Sequence, residues 1–370
     1  MLKRLLICLF FLLNSPALFS QVLGGERAFE FLRLSQSPHI TALGGLAVIN
    51  PAQDVMMGNA NPALLRESFH TNLGLNYNLY YGGTKVMNML YAHHSKKLKT
   101  TFGLGIQYLD YGSFQQTNSF GFVFGEQKAA DYSINLMASK SYLEKWRGGV
   151  SMKFAQSRLA QLSSFGFLMD VGVAYADTAK LFYWGLAVKN VGYQFKKYNP
   201  MNPSQPMPLD VQMGIMKKFK KAPFSFSILG HHLYTWDVRY DNPADIEDNI
   251  LIIGDSTMSE EQKSYFVDKL FRHLVFAADI NLGKRLEISA GYNHLRRSEL
   301  SLTAPKGLSG FSYGVGLYLN KFTLHVAQSH YHITGAYTEV GLNMQLNRLF
   351  GIGGEFGKKI NWSEKFATTF

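Results

Sequence analysis

The residues of this chain best suited to chemistry are its histidines, which fall in close pairs: His93-His94, His231-His232 and His330-x-His332. Such pairs suggest a metal site or a general base. Neighbours in a strand point to opposite faces, so each adjacent pair can offer one imidazole to a given site. His330 and His332 can share a face, but no nearby Asp, Glu or Cys completes a ligand set, and no metal site is expected. A lipid esterase or deacylase would need Ser and His side chains presented together as nucleophile and base, with a third group to orient them. Ser and His are plentiful, yet no segment reads as the strained strand-to-helix turn of a nucleophile elbow. No catalytic residue and no cofactor site is therefore assigned.

The elements that would have to carry these groups are strands. From Thr71 onward the polarity alternates with period two. In "NLGLNYNLY", Leu73, Leu75, Tyr77 and Leu79 share one face and Asn72, Gly74, Asn76 and Asn78 the other. Leu286, Ile288, Ala290 and Tyr292 repeat the pattern against Glu287, Ser289, Gly291 and Asn293. Fourteen such segments run between residues 71 and 347, among them 99 to 111, 130 to 143 and 222 to 238. The connections after even-numbered segments are short and mostly basic ("SKKLK", "KFKKA", "LGKR"), while several of the others are long. An even strand number with short turns at one end and long loops at the other predicts an outer-membrane barrel.

Compartment and composition lead the same way. Lys3 and Arg4 precede the apolar run "LLICLFFLL", then "NSP" and small residues to Ser20, the pattern of a secretory signal peptide over 1–20. The single cysteine, Cys8, lies inside that run, so the mature chain has no thiol for a disulfide or a cysteine metal site. Loss of Lys3 and Arg4 lowers the formal charge from +11 to +9 (11 − 2), but the remaining basic residues are scattered among turns and form no nucleic-acid stripe. No mature segment has the roughly 18 continuous apolar residues of a membrane helix, so a membrane-spanning form must be a closed barrel. A water-soluble sandwich would bury the Leu, Phe and Tyr faces between two sheets. The barrel is favoured because the opposite faces carry isolated ionisable groups: Lys153, Asp170, Lys189, Asp279, Glu287 and Glu339. In a lumen these can pair and stay hydrated as structural salt bridges, whereas on the lipid side each would cost a few kcal/mol.

Before the first strand, residues 21–70 are too long for a tether and too polar for a strand pair. Phe29, Phe31, Leu32 and Leu34 have near-helical spacing, Gly44-Gly45 breaks the run, and Pro62 can open a helical turn with Asn61 as its N-cap. A compact hatch inside the barrel is expected there. At this point the segment "FEFLRLSQSPHITALGGLAVINPAQDVMMGNANPALL" resembles the N-terminal region of the PorV/PorQ family of type IX secretion proteins, a branch of the FadL-like fourteen-stranded barrels. The resemblance rests on Phe29 to Leu34, Ala42, Leu43, Gly44, Gly45, Asp54, Asn61, Pro62 and Ala63, and continues with "LDYGSF", "MDVGVAY" and "LAVKNVGYQF". It implies a hatch over 21–70, a barrel over 71–347 and a periplasmic-side tail over 348–370.

The resemblance also implies a non-enzymatic role among outer-membrane lipids: anchoring a surface component of an attachment complex that processes secreted cargo. PorZ would be the direct partner, with PorU and PorV beside it. The partner-binding surface is expected in the acidic connection 239–270, where Asp245, Glu247 and Asp248 precede an apolar edge at Tyr265 and Phe266. The alternatives are a FadL-like channel for small hydrophobic compounds and an outer-membrane lipid esterase.

Overall fold

The computed structural model describes residues 27–238, 266–299, 307–332 and 335–350. The alternating segments form fourteen antiparallel strands, each hydrogen-bonded to its sequence neighbours, and the first pairs with the last to close the barrel. They are β1 (Asn72–Leu79), β2 (Lys85–Ser95), β3 (Thr100–Thr117), β4 (Val123–Tyr142), β5 (Trp146–Leu159), β6 (Leu162–Asp177) and β7 (Phe182–Lys196). Then come β8 (Asp210–Lys218), β9 (Phe224–Gly230), β10 (Leu274–Leu282), β11 (Leu286–Asn293), β12 (Phe311–Tyr318), β13 (Phe322–His332) and β14 (Gly335–Gln345). The register keeps the two faces in phase across the closure. Leu75 stands opposite Met89 of β2 and Leu342 of β14, and Asn76 opposite Asn88 and Gly341. A slip of one residue would turn the asparagines into lipid.

The apolar face is the outer one: Leu75, Phe102, Ile106, Leu136, Met152, Ile215, Val315 and Val340 are all exposed. A sandwich would have buried them, so the exposed apolar wall marks this as a membrane barrel. Trp146, Tyr175 and Trp184 cluster at the short-turn end, with Trp146 ring centroids 4.9 Å from Tyr175 and 6.0 Å from Trp184. Such rings suit the membrane–water boundary, being apolar in body with a polar N–H or O–H.

Three segments depart most from their sequence boundaries, and smaller differences occur elsewhere, as where the segment expected over 285 to 297 leaves the sheet after Asn293 and turns helical over His294–Glu299. β3 and β4 run past the expected ends at 111 and 130 as a long hairpin, beyond a bulge between Asp110 and Ser113. Most side chains on both faces of this extension are exposed or half-buried, so alternation loses its cause there and the pattern fades. β9 ends at Gly230 rather than 238, because the chain leaves the sheet at His231 and His232 takes a positive φ of 54°.

The segment from residue 27 to 70 fills the lumen. It is a chain of short turns: a 3₁₀ turn Glu30–Arg33, the helix α1 (Pro38–Ala42), and 3₁₀ turns Val55–Asn59, Pro62–Leu64 and Glu67–Phe69. α1 starts with Ser37, whose Oγ accepts from the His39 N–H at 3.2 Å, and Pro38 at its first position. It stops at Gly44 and Gly45, whose φ values of 88° and 85° suit glycine; the Gly45 N–H donates to the Ile40 carbonyl at 3.0 Å. The near-helical spacing of Phe29 to Leu34 yields only the four-residue 3₁₀ turn, because Phe29, Phe31 and Leu32 are drawn onto Val86, Leu109, Ala155 and Leu168 of the wall. A second core joins Ile40, Leu43, Ile49, Met57 and Leu64 of the hatch to Ala174, Tyr183, Met216 and Ala277.

Residues 1–20 and 351–370, which hold the expected signal peptide and most of the expected tail, lie outside the described residues.

Candidate functional site: the hatch seat and the cavity beside it

Asn61 explains the Asn-Pro-Ala triplet physically. Its Oδ1 accepts the Ala63 N–H at 3.0 Å, capping the Pro62–Leu64 turn, while its Nδ2 donates to the Val48 carbonyl at 2.8 Å. The same Nδ2 lies 3.5 Å from the carbonyls of Val173 on β6 and Leu186 on β7. Pro62 and Ala63 lie against Gly149 of β5, and Asn61 against Gly172 of β6, where any Cβ would collide with the hatch. Asp54 caps the Val55–Asn59 turn through the Met56 N–H at 2.9 Å, accepts from Asn343 of β14 at 3.0 Å and accepts from the Ser37 hydroxyl. Gly44 backs onto Gly291 of β11, and Gly45 onto the Tyr331 hydroxyl.

The six ionisable lumen residues face inward, but their environment departs from the hydrated lumen expected. The hatch covers them, and their partners are largely hatch or neighbouring wall groups. Lys153 Nζ sits 2.6 Å from Asp170 Oδ2 and donates to Asn190 Oδ1 at 2.8 Å, and Asp170 Oδ1 accepts the Asn190 N–H at 2.8 Å. Lys189 donates to the Asn59 carbonyl at 3.1 Å. Glu339 accepts from Thr41 of α1 and from Asn76. Asp279 and Glu287 both face His39 of α1, at 3.4 Å and 3.3 Å. Beneath a packed hatch these carboxylates are met by protein hydrogen bonds and ion pairs, which offset part of the cost of burying them.

On the side of the long connections, a cavity of about 390 Å³ lies between the hatch and the strand ends. Leu32, Ile40, Leu46, Ala47, Tyr80, Leu295 and Tyr337 give it apolar walls, and Arg27, Arg33, Lys189 and Arg296 bring positive charge. His231 and His232 both line it, contrary to the one-imidazole expectation, because they stand just past the end of β9 and no longer alternate. Their Nδ1 atoms are 2.5 Å apart, and Arg33 Nη1 meets His232 Nε2 at 3.0 Å. Burial pushes the His231 imidazole well below its ordinary range. It also pushes His232 down to about 4, against the pull of Asp210 and with the help of the Arg33, Arg296 and Arg27 charges. At neutral pH both rings are uncharged.

The other histidines have bland partners. His94 Nδ1 meets Thr101 Oγ1 at 3.0 Å, the His93 ring lies 4.9 Å from His70, and the His330 ring lies 5.8 Å from Tyr313; the His332 side chain is outside the described set. Contrary to the sequence reading, which finds no nucleophile-elbow phrase, Gly310-Phe311-Ser312-Tyr313-Gly314 has that spacing, but Ser312 is in β12 and its hydroxyl donates to the Ala42 carbonyl at 3.1 Å beneath the hatch. Ser289 donates to Asp279 at 2.6 Å, so the acid stands between that hydroxyl and His39, which is no nucleophile–base pair. Sequence reasoning missed His39, His325 and the cavity arginines, which stand singly among unlike neighbours and are gathered only by the closure of the barrel.

Of the expected partner surface, Asp245, Glu247, Asp248 and Tyr265 lie outside the described residues. Phe266 opens a helical stretch over 266–272, is 57 % exposed and lies with its ring centroid 5.5 Å from that of Trp236, the planes tilted by 39°.

The closed wall, its outward apolar belt and its luminal hatch define a fourteen-stranded outer-membrane β-barrel. Among solved structures, the CymD monoaromatic hydrocarbon channel shares the fold, at 12% identity over 86% of this chain and 97% of that chain, with a TM-score of 0.50. A TodX monoaromatic hydrocarbon channel deltaS2 mutant matches 83% of this chain and 96% of its own at 13% identity and a TM-score of 0.49. A Pseudomonas aeruginosa FadL homologue matches 84% and 98% at 8% identity and 0.46. No family model and no curated protein matches the sequence.

Proposed function

We propose that this barrel is a non-enzymatic channel that admits small hydrophobic or amphipathic compounds from the cell surface, with the hatch as its gate. The observation that carries the reading is the cavity of about 390 Å³ at the long-connection end, whose walls mix apolar side chains with polar and charged ones, as an amphipathic compound requires, and which the hatch closes below. Its size falls at the lower end of ligand pockets, of about 300–1,000 Å³. By the parity of short turns and long loops that end faces the outside, where a compound would enter. CymD, which shares the fold, is named as a monoaromatic hydrocarbon channel. The test is uptake of a radiolabelled monoaromatic compound and of a medium-chain fatty acid by cells with and without the protein. Leu46→Trp, which fills the cavity, should lower uptake while leaving the barrel assembled. Undiminished uptake by an assembled Leu46→Trp barrel would refute the site.

A second reading, the type IX anchoring of a PorZ-like surface protein, is supported by the sequence phrases at 29–63, 109–114, 169–175 and 186–195. Affinity isolation from native outer membranes separates the two. A stoichiometric surface protein that leaves when 241–268 is shortened favours the anchor, and its absence together with measurable uptake favours the channel.

A further inference from the structure

Where α1 meets β10, β11 and β13, four buried side chains converge that the gate reading does not use: His39, Asp279, Glu287 and His325. His39 Nε2 is 3.3 Å from Glu287 Oε1 and 3.4 Å from Asp279 Oδ1. The His325 ring stacks on His39 with centroids 5.3 Å apart and planes at 7°. One ligand-capable atom from each of His39, Glu287 and His325 lies within 4.8 Å of the others. Two donors bound at about 2.0–2.1 Å to a tetrahedral ion stand roughly 3.3–3.4 Å apart, the spacing that His39 keeps from both carboxylates.

An ion pair between a charged His39 and the two carboxylates accounts for only part of this arrangement. It leaves His325 buried with no hydrogen-bond partner at Nε2 and only ring contacts to His39 and Tyr318. A buried imidazole nitrogen without a hydrogen-bond partner is costly. A bound cation gives its lone pair a use. The carboxylates are held as ligating carboxylates are: Tyr318 donates to Glu287 Oε1 at 3.1 Å and Ser289 to Asp279 Oδ1 at 2.6 Å.

We propose that His39, Asp279, Glu287 and His325 form a site for a divalent metal ion of the zinc class. Two imidazoles and two carboxylates suit zinc or a neighbouring first-row ion, and neutralise its charge. One ligand comes from the hatch and three from three different strands, so the ion joins the gate to the wall. With its donors buried beneath the hatch, the proposed site is structural, and the ion enters as the hatch seats during folding.

The test is elemental analysis of the untagged, full-length protein extracted in mild detergent from outer membranes and washed with EDTA to strip surface ions. Assembly is checked by heat-modifiable gel migration. About one zinc per wild-type chain is expected, with at least a tenfold loss in assembled Glu287→Gln and His325→Gln and no loss in His330→Gln. Protein from cobalt-supplemented cells should show the visible absorption band of tetrahedral Co²⁺, absent from Glu287→Gln. Wild-type protein that is metal-free after the wash, or metal retained equally by wild type and both variants, overturns the proposal and leaves an ion pair. Should the variants fail to assemble, the wild-type metal content and cobalt band alone decide.

Discussion

Replacing Asn61 by alanine should loosen the hatch without unmaking the barrel. Two interactions are lost at a fully buried position: the cap on the Ala63 N–H at 3.0 Å and the donor to the Val48 carbonyl at 2.8 Å. A lost cap costs about 1 kcal/mol, and a buried carbonyl left without its donor costs about 1–3 kcal/mol. The seated hatch is then less stable by roughly 2–4 kcal/mol, which raises the unseated-to-seated ratio about 30- to 700-fold at 1.4 kcal/mol per decade. No wall hydrogen bond of the sheet is touched, so heat-modifiable migration should be unchanged. The assay is single-channel conductance in planar bilayers, where opening events should become more frequent by that order. Gly172→Ala should have the same effect from the other side, since its methyl would meet Asn61 Oδ1. The double variant should then open less often than the two single effects multiplied together, because the smaller alanine at position 61 vacates that space. An assembled Asn61→Ala barrel with opening events as rare as those of the wild type would refute the reasoning.

Other perturbations probe the wall and the cavity. Lys153→Met strands the buried Asp170 carboxylate and should destabilise the barrel by about 3–5 kcal/mol in urea unfolding from detergent; adding Asp170→Leu should recover most of the loss. Leu136→Arg puts a charge on the lipid face of β4, where Leu136 is 48 % exposed, and should cost about 2–4 kcal/mol if it lies near the midplane, whereas Leu136→Phe should be close to neutral. Because His232 titrates near 4 when folded and near 6.5 when unfolded, the unfolded chain binds the extra proton between those values. The contribution of His232 to stability is therefore level above pH 6.5 and falls as the pH drops from 6.5 toward 4, by up to about 1.4 kcal/mol per pH unit. Hydrogen exchange at 231–238 should quicken over that window in wild type but much less in His232→Gln.

The sequence made the wall legible because each strand has one face in lipid and one toward the hatch, so period two is physically enforced wherever the membrane is. It fades where the membrane ends, which is why the outer reach of β3 and β4 could not be read. Gly44-Gly45 and Asn61-Pro62 showed that something irregular precedes the strands, since positive φ and a missing amide leave marks on residue choice. The partners of the lumen groups were not legible. Lys153 stands opposite Leu168, two residues along β6 from Asp170, and only the register brings the pair together. His39 and His325 are 286 residues apart (325 − 39), and nothing local marks either as a member of a cluster.

The two sets of hatch contacts also bear on how the hatch, in its proposed role as a gate, can move. Asn61 reaches the carbonyls of β6 and β7, while α1 lies against β11 to β14, and its His39 faces Asp279, Glu287 and His325. In a ring of fourteen strands, β6 and β13 are seven places apart in either direction, so the hatch is pinned at opposite arcs of the wall. Loss of one pin leaves the other as a pivot, and the hatch can tilt without leaving the lumen. The lumen-facing glycines make this possible: at Gly149 and Gly291 the hatch backbone lies directly on the wall with no side chains interlocked between them. Separation there requires few rotamer changes, so the barrier to opening is set by the polar pins together with the apolar contacts of Phe29, Phe31 and Leu32 with the wall. Asn61→Ala should accordingly open the β6–β7 side first, and a cysteine at position 172 in that background should react with a thiol reagent from the cell surface sooner than one at position 314 against α1.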